Sequence, residues 1–518
     1  MNTSMKKQYQ GWLVLAGLVV MVLGAVLGWY GFPALIRSQI IENLVLNEGA
    51  ERREIWEKTP YPMDFKIYLF NVTNPFEVAQ GDTPVLKEVG PYCYNEYKEK
   101  VNIIDHEEDD TVSFNVKDTW FFNQEESGVL TGDEIITIPH VVILGMILEA
   151  EREQPLALQF INASISHIFG NITTPFVTAK AKDLLFEGVP INCTHDSFSA
   201  KTICTELKKR IHHFHRVNEH IFKFSILGTK NGTERERLRV KRGNDDIKEV
   251  GKVVEFEDQD TLDVWSGDKC NELKGTDATI FPPFLTKKDK IEGFLTDLCR
   301  SAGAEYQYAT TYNGIRSYKY TADFGDITND ENLKCFCTTP STCLKRGVHD
   351  ITRCTGIPLV VSLPHFFLAD EEYQDGVIGL NPVQEKHQIL LQFEPMTATP
   401  LEAYKRLQFN IFMHKSNQVD IVKNVTPSLL PILWVQENME LHQEYIDKIL
   451  DMFLIISIMG AMKWIMIVIG GVITATGLFF LMRKKNDNHT VITGSPPIAL
   501  KSTGKPKPEH VIDRTNGL

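Results

Sequence analysis

Charge is missing from two long stretches of this 518-residue chain. No Asp, Glu, Lys or Arg occurs in the 26 residues from Gly11 to Ile36 or in the 19 from Trp464 to Met482. At ~1.5 Å rise per residue, about 20 apolar residues cross the hydrocarbon core of a bilayer, so each run is long enough to span one. That excludes an ordinary soluble domain, whose buried helices rarely run so far without a polar face or sit at both extremes of the chain. The first run exceeds a signal-peptide core and no A-x-A-like site ends it, so a retained anchor is expected. Also missing are G-x-S-x-G, H-E-x-x-H and G-x-x-x-x-G-K-[ST], which leaves nothing to nominate an enzyme or a cofactor. Basic residues are outnumbered, 54 against 67 acidic, for a net charge of -13. Residues 1–10 carry +2, Lys463 +1 and residues 483–518 a net +4, so the remainder carries -20. Such a surface excludes nucleic acid as a broad partner.

What is present organises around those runs. Lys6 and Lys7 precede the first, and Arg483, Lys484 and Lys485 follow the second. The positive-inside rule therefore predicts both termini in the cytoplasm and the segment between them outside, on a plasma-membrane protein. The expected layout is a cytoplasmic N-terminus (1–10), a transmembrane helix (11–33), a glycosylated, disulfide-bonded ectodomain (34–458), a second transmembrane helix (459–482) and a disordered, proline-rich cytoplasmic tail (483–518). Lys463, at the outer edge of the second span, is expected to snorkel to the headgroups. Gly24-x-x-x-Gly28 fits a helix-pairing motif and leaves a homodimer open. N-x-[ST] occurs outside at Asn71, Asn162, Asn171, Asn192, Asn231 and Asn424, the expected glycan sites, whereas the matches at Asn2 and Asn488 lie on the cytoplasmic side.

Six of the nine cysteines cluster: Cys270, Cys299, Cys335, Cys337, Cys343 and Cys354. In an oxidising compartment they read as a disulfide framework whose pairing spacing alone does not resolve, and the C-x-C spacing is a poor match to zinc. Cys193 and Cys204 are candidates for a further bridge, and Cys93 is left over, buried or available to a partner. Strand-like runs fall at Phe65 to Val72, Thr111 to Val116, Gly251 to Phe256, Gln388 to Phe393 and Leu407 to His414, with helical spacing at Pro139 to Arg152, Lys180 to Phe186 and Ser199 to Phe214. The predicted class is α+β, an irregular antiparallel barrel or sandwich decorated by helices. Arg239-Val240-Lys241-Arg242 matches a convertase site, but a strand there makes a poor protease substrate.

Trp56 with Pro60 and Pro62, Tyr68-Leu69-Phe70-Asn71-Val72-Thr73-Asn74-Pro75, Gly90-Pro91-Tyr92, Phe281-Pro282-Pro283-Phe284, Leu363-Pro364-His365-Phe366, Gly379-Leu380-Asn381-Pro382 and Lys405-Arg406-Leu407-Gln408 together resemble the class B scavenger receptor family. Lys182 to Pro190, Leu227 to Thr233, Asp263-Val264-Trp265, Phe284 to Lys287 and Cys335-x-Cys337 to Cys343 resemble its insect sensory neuron membrane protein branch. The resemblance implies the pairs Cys270 to Cys335, Cys299 to Cys354 and Cys337 to Cys343, a β-barrel core with a helical apex, and a hydrophobic tunnel. It implies as ligands long-chain hydrophobic compounds, whether pheromones, fatty acids or esters. An odorant-binding carrier and an olfactory receptor complex are the implied partners. General lipid or lipoprotein uptake and adhesion are the alternative roles for the same fold.

One segment reverses the local charge. Lys201, Lys208, Lys209, Arg210, His212, His213, His215 and Arg216 form a basic, histidine-rich stretch in an acidic ectodomain. It reads either as a capture patch for carboxylates or an acidic carrier, with His adding pH sensitivity, or as a solvated helix face. A metal site there is disfavoured because adjacent residues on a helix point apart. Related chains carry a lysine pair just before the helix at 180–186; Asn171-Ile172-Thr173-Thr174 stands here instead, so no fatty-acid site is carried over from them.

Overall fold

The structure is a computed structural model that describes residues 3–337 and 343–489. The sequon at Asn2, the side chain of Asn488 and part of the Cys337 to Cys343 loop lie outside what is described; the tail expected to be disordered from residue 483 is helical as far as His489, continuing Gln443–His489, and lies outside the description beyond it. The described residues fall into two compact units, one of residues 37–452 and one that holds the described residues on either side of it.

Period-2 alternation and β-branched or aromatic residues build the larger unit around a 13-stranded sheet. Its path runs Val253–Phe256, Glu234–Lys241, Thr111–Phe122, Leu86–His106, Met63–Val72, Ser428–Glu440, Pro400–Met413, Leu390–Phe393, Ile315–Thr321, Arg300–Tyr312 and Ile291–Leu295, every neighbour antiparallel. Val348–Asp350 and Val360–Ser362 join it through Pro400–Met413. The two edges are almost closed by one short segment. Thr276 bridges Lys252 on one side and Gly293 on the other, with Val253 N–H donating to the Gly275 carbonyl (3.0 Å), Thr276 N–H to Glu292 (3.0 Å) and Phe294 N–H to Thr276 (2.8 Å). The result is a nearly closed antiparallel barrel, the class expected from sequence.

Above one end lie helices Val141–Glu153, Ala157–Phe169 and Phe198–Lys209, with the hairpin Ile135–Pro139/Phe176–Lys180 and the three-stranded sheet Val189–Asn192, Ile221–Phe224, His215–Arg216. The helix expected over 199–214 ends early, at Lys209. Arg210 leaves helical geometry (φ -109°, ψ 33°) with its guanidinium held by Glu149 and by the Gly356 carbonyl (3.2 Å). The weak helix formers His212, His213 and Phe214 then follow as a 3-10 turn and a bend, and His215–Arg216 is an edge strand. Likewise Lys180 ends a strand, and the helical turn begins at Ala181.

Four disulfides are formed: Cys193–Cys204, Cys270–Cys335, Cys299–Cys354 and Cys337–Cys343. Cys93 is free and buried.

In the smaller unit the two apolar runs lie within helices whose candidate spans are Tyr9–Leu44 and Gln443–Arg483, each continuing past the expected 11–33 and 459–482. Gly24 and Gly28 are spent on the chain's own second span. A Cβ on Gly24 would lie 2.8 Å from Met466 Cβ, and one on Gly28 2.2 Å from the Lys463 stem. The Lys463 ammonium sits over the indole faces of Trp29 (4.9 Å) and Trp464 (5.3 Å).

Candidate functional site

The family-like motifs converge on the wall of the barrel as structure. His365 Nδ1 accepts the Asn381 N–H (3.1 Å), which leaves Nε2–H to donate to Glu88 (2.7 Å). Trp434 Nε1 donates to the same carboxylate (2.8 Å), and Gln408 accepts the His365 N–H (2.6 Å). Against the effect of burial, the bonds from His365 and Trp434 hold Glu88 below the ordinary carboxylate range. The indole of Trp434 stacks on Tyr68 at 3.9 Å. These residues fasten together strands and loops that are far apart in sequence.

The apex is different. Ile138, Val142, Phe169, Leu184, Ile191 and Phe224 line an apolar cavity whose polar lining side chain is His140. The cavity holds about 20 Å³, room for a water or two, so a longer guest must part the walls. Two of those walls are the paired strands Val189–Asn192 and Ile221–Phe224. The basic edge strand His215–Arg216 pairs with the second of them, and Cys193–Cys204 ties the end of the first to the helix Phe198–Lys209. The charge-reversed segment is thus joined to the cavity wall by a sheet ladder and a disulfide.

Much of that segment is already neutralised. Lys201 pairs with Asp196 (2.9 Å), Lys209 with Glu206 (2.8 Å) and Arg210 with Glu149. Lys208 has no ion pair among the described residues; its ammonium approaches the Phe222 ring (6.0 Å). Arg216 Nε reaches the Asn218 carbonyl (3.4 Å). Because the chain is a 3-10 turn there, the His212 and His213 rings lie 3.9 Å apart. Burial, then His212, Arg210 and Lys230, push His213 down to about 4, below the range in which a neutral-pH sensor works. His215 Nε2 is buried without a partner among the described residues. Among the described residues no three His, Cys, Asp or Glu are placed to hold a metal ion.

The six outside sequons differ in their surroundings. Asn171, Asn192 and Asn424 are exposed. Asn162 and Asn231 use Nδ2, the atom a glycan would occupy, on Asp420 (3.1 Å) and the Trp120 carbonyl (3.4 Å), and Asn71 accepts the Thr137 N–H (2.8 Å).

Sequence reasoning missed a charged row along the barrel sheet, buried at Glu96 and Asp118 and half-exposed at Lys405, Lys230 and Asp297. Lys98 and Lys405 share Glu437 (2.8 and 3.0 Å), Arg235 pairs with Asp118, Lys230 with Asp297 (2.6 Å) and Lys100 with Asp277 (3.4 Å). Glu96 belongs to the same row, 3.6 Å from Lys98 and 1% exposed. The available signal was parity: Tyr92, Tyr94, Glu96, Lys98 and Lys100 alternate along one strand, so the buried apolar face runs on into charge.

With the geometry in place, comparison with known proteins is informative. The model of the CD36 family matches residues 15–481. Sensory neuron membrane protein 1 of Apis mellifera is 44% identical over 486 residues, 94% of each chain. The protein of the same name from Pediculus humanus subsp. corporis is 42% identical over 477 residues, 92% of each. That from Plutella xylostella is 40% identical over 454 residues, 87% of this chain and 86% of its own.

Proposed function

The chain belongs to the CD36 family as a two-pass membrane protein related to sensory neuron membrane protein 1, and on that footing we propose that it captures lipophilic odorants or pheromones at the cell surface. Both termini are cytoplasmic in this reading, and the glycans sit on the outer unit, first at Asn171, Asn192 and Asn424. Capture occurs at the apex and hands the ligand to the membrane or to an olfactory receptor complex. An odorant-binding carrier docks on the basic edge.

The observation that carries this reading is the apolar cavity whose wall strand is paired with the charge-reversed segment. Each methylene buried there is worth about 0.8 kcal/mol, so a long chain would supply affinity without a polar anchor. Lys208 and Arg216 remain to steer an acidic partner.

The test compares two variants of the full chain at equal surface expression. Val189→Trp should cut transfer of any long-chain ligand at least about tenfold by filling the cavity. Joint neutralisation of Lys208 and Arg216 should slow docking of an acidic carrier, more at low salt, because exposed charges are screened within ~8 Å at 0.15 M. Normal transfer by Val189→Trp would overturn apical capture. Adhesion by the same fold would be indifferent to that substitution.

A further inference from the structure

The charged row on the barrel sheet is more than a set of ion pairs. Its members occupy cross-strand positions on one face: Lys405 opposite Glu437, Phe65 opposite both Glu437 and Tyr94, Met63 opposite Glu96, Glu96 opposite Trp120, and Lys98 opposite Asp118. Beside them, the half-exposed Asp297 reaches Lys230 (2.6 Å) and Arg235 (3.5 Å) from the turn Thr296–Leu298. Among the described residues the buried atoms without a hydrogen-bond partner in this row are Glu96 Oε2, Trp120 Nε1, Arg235 Nε and Asp118 Oδ1. Buried polar atoms are nearly always satisfied, so four together on one face mark a place where a partner belongs.

We infer that Glu96 and Trp120 form a seat for the carbonyl oxygen of an uncharged, single-chain ligand, an ester or an aldehyde. This rests on the proposed capture of lipophilic compounds and locates the head group within it. Packed aromatic rings connect the seat to the apical cavity. Trp120 and Tyr94 both contact Phe186 (6.2 and 4.7 Å between centroids), and Phe186 lies in the same turn, Asp183–Glu187, as Leu184 of the apical cavity. Apolar and aromatic groups therefore run from the apical cavity to the seat.

Two features choose the chemistry. Every cation of the row already faces an anion: Lys98 and Lys405 at Glu437, Arg235 at Asp118, Lys230 at Asp297, Lys100 at Asp277. A ligand carboxylate would add a buried charge with no counter-ion left, whereas a neutral carbonyl adds none. Two of the unpartnered atoms, Trp120 Nε1 and Arg235 Nε, are N–H donors, and Asp118 Oδ1 is an acceptor. Trp120 supplies an indole N–H, and Glu96 supplies an O–H when protonated. Burial, opposed by Lys98 but reinforced by Glu437 and Asp118, pushes the Glu96 carboxyl far above the ordinary carboxylate range, so it carries its proton at neutral pH. Glu437, despite burial, is held below that range by Lys405 and Lys98, and so remains the acceptor for both.

The experiment uses the full chain in detergent with three probes of equal chain length: methyl palmitate carrying a 13C carbonyl, palmitate, and hexadecane. Wild type should favour the ester over hexadecane about tenfold, as expected for one or two buried hydrogen bonds, and show a lowered carbonyl stretching frequency. Trp120→Phe and Glu96→Leu should each cut the ester preference about fivefold or more and raise that frequency, with hexadecane affinity unchanged. Glu96→Gln retains a donor and should retain both signatures. Raising the pH from about 6.5 to about 9 should erode the ester preference of wild type but not of Glu96→Gln, since ionisation removes the Glu96 donor. An ester preference and carbonyl frequency unaltered in both donor-deleted variants would overturn the seat, as would tighter binding of palmitate than of its ester at neutral pH. Failure of wild type to bind hexadecane and ester alike would instead overturn lipophilic capture itself.

Discussion

At the scale of single residues, His140 couples the apical cavity to pH. It caps the helix Val141–Glu153, its Nδ1 accepting the Ile143 N–H (3.4 Å), and its ring meets Phe169 edge-on at 5.0 Å. Burial pushes its pKa from 6.5 to about 4. Between those values the unfolded chain takes up a proton that the folded chain refuses. Stability is therefore present in full above pH 6.5 and lost as the pH falls toward 4, by on the order of 3 kcal/mol at the lower limit. His140→Asn keeps a capping acceptor and removes the titration. Its thermal unfolding should be flatter than wild type across that window, with equal stability changes at neutral pH set aside by subtraction; parallel curves would show that His140 is not the group responsible. Asn192 and Asn162 illustrate a different residue-scale lesson. Both match one sequon pattern, yet Asn192 is exposed and Asn162 is bonded through Nδ2 to Asp420, a contact 258 residues away that no local pattern encodes.

At the scale of elements, the barrel depends on Gly275. Its φ is +79°, and a Cβ there would lie 2.4 Å from the carbonyl carbon of Glu292, in the backbone of the strand it joins. Gly275→Ala combines left-handed strain with a backbone clash, and should cost at least about 2 kcal/mol in chemical or thermal unfolding. A variant as stable as wild type would mean that closure through Thr276 contributes little. Several strands were legible from sequence because their period-2 pattern is local: 65–72 lies within Met63–Val72, and 111–116 begins Thr111–Phe122. The end of the helix expected over 199–214 was not. It is set by Glu149 and Gly356, which meet Arg210 only in the folded chain. Closure of the barrel was hidden for the same reason, since Gly275–Asp277 is too short to show any periodicity. The charged row was half visible: its parity is written in Tyr94, Glu96 and Lys98, but that this face looks inward depends on pairing with Met63–Val72 and Ser428–Glu440.

At the scale of the whole molecule, the proposed function puts apolar capture, charge-guided docking and the polar seat in the larger unit, residues 37–452, while the two apolar spans lie mainly in the other. The spans pack through glycines that were candidates for a dimer, which directs Gly24 and Gly28 to an internal role. The family and the two apolar helices were readable from sequence because hydropathy and motif order survive without coordinates. The central claim, that a long-chain ligand lies between the apical cavity and the barrel interior, is tested most directly by photolabelling. Intact cells expressing the full chain are loaded with a long-chain ester bearing a diazirine midway along its chain, irradiated, and the labelled peptides are mapped. The account predicts label on the segments around Leu184, Phe186, Ile191 and Phe224, competed by unlabelled methyl palmitate and lost in Val189→Trp. Label confined to the two membrane spans, or unaffected by the competitor, would contradict it.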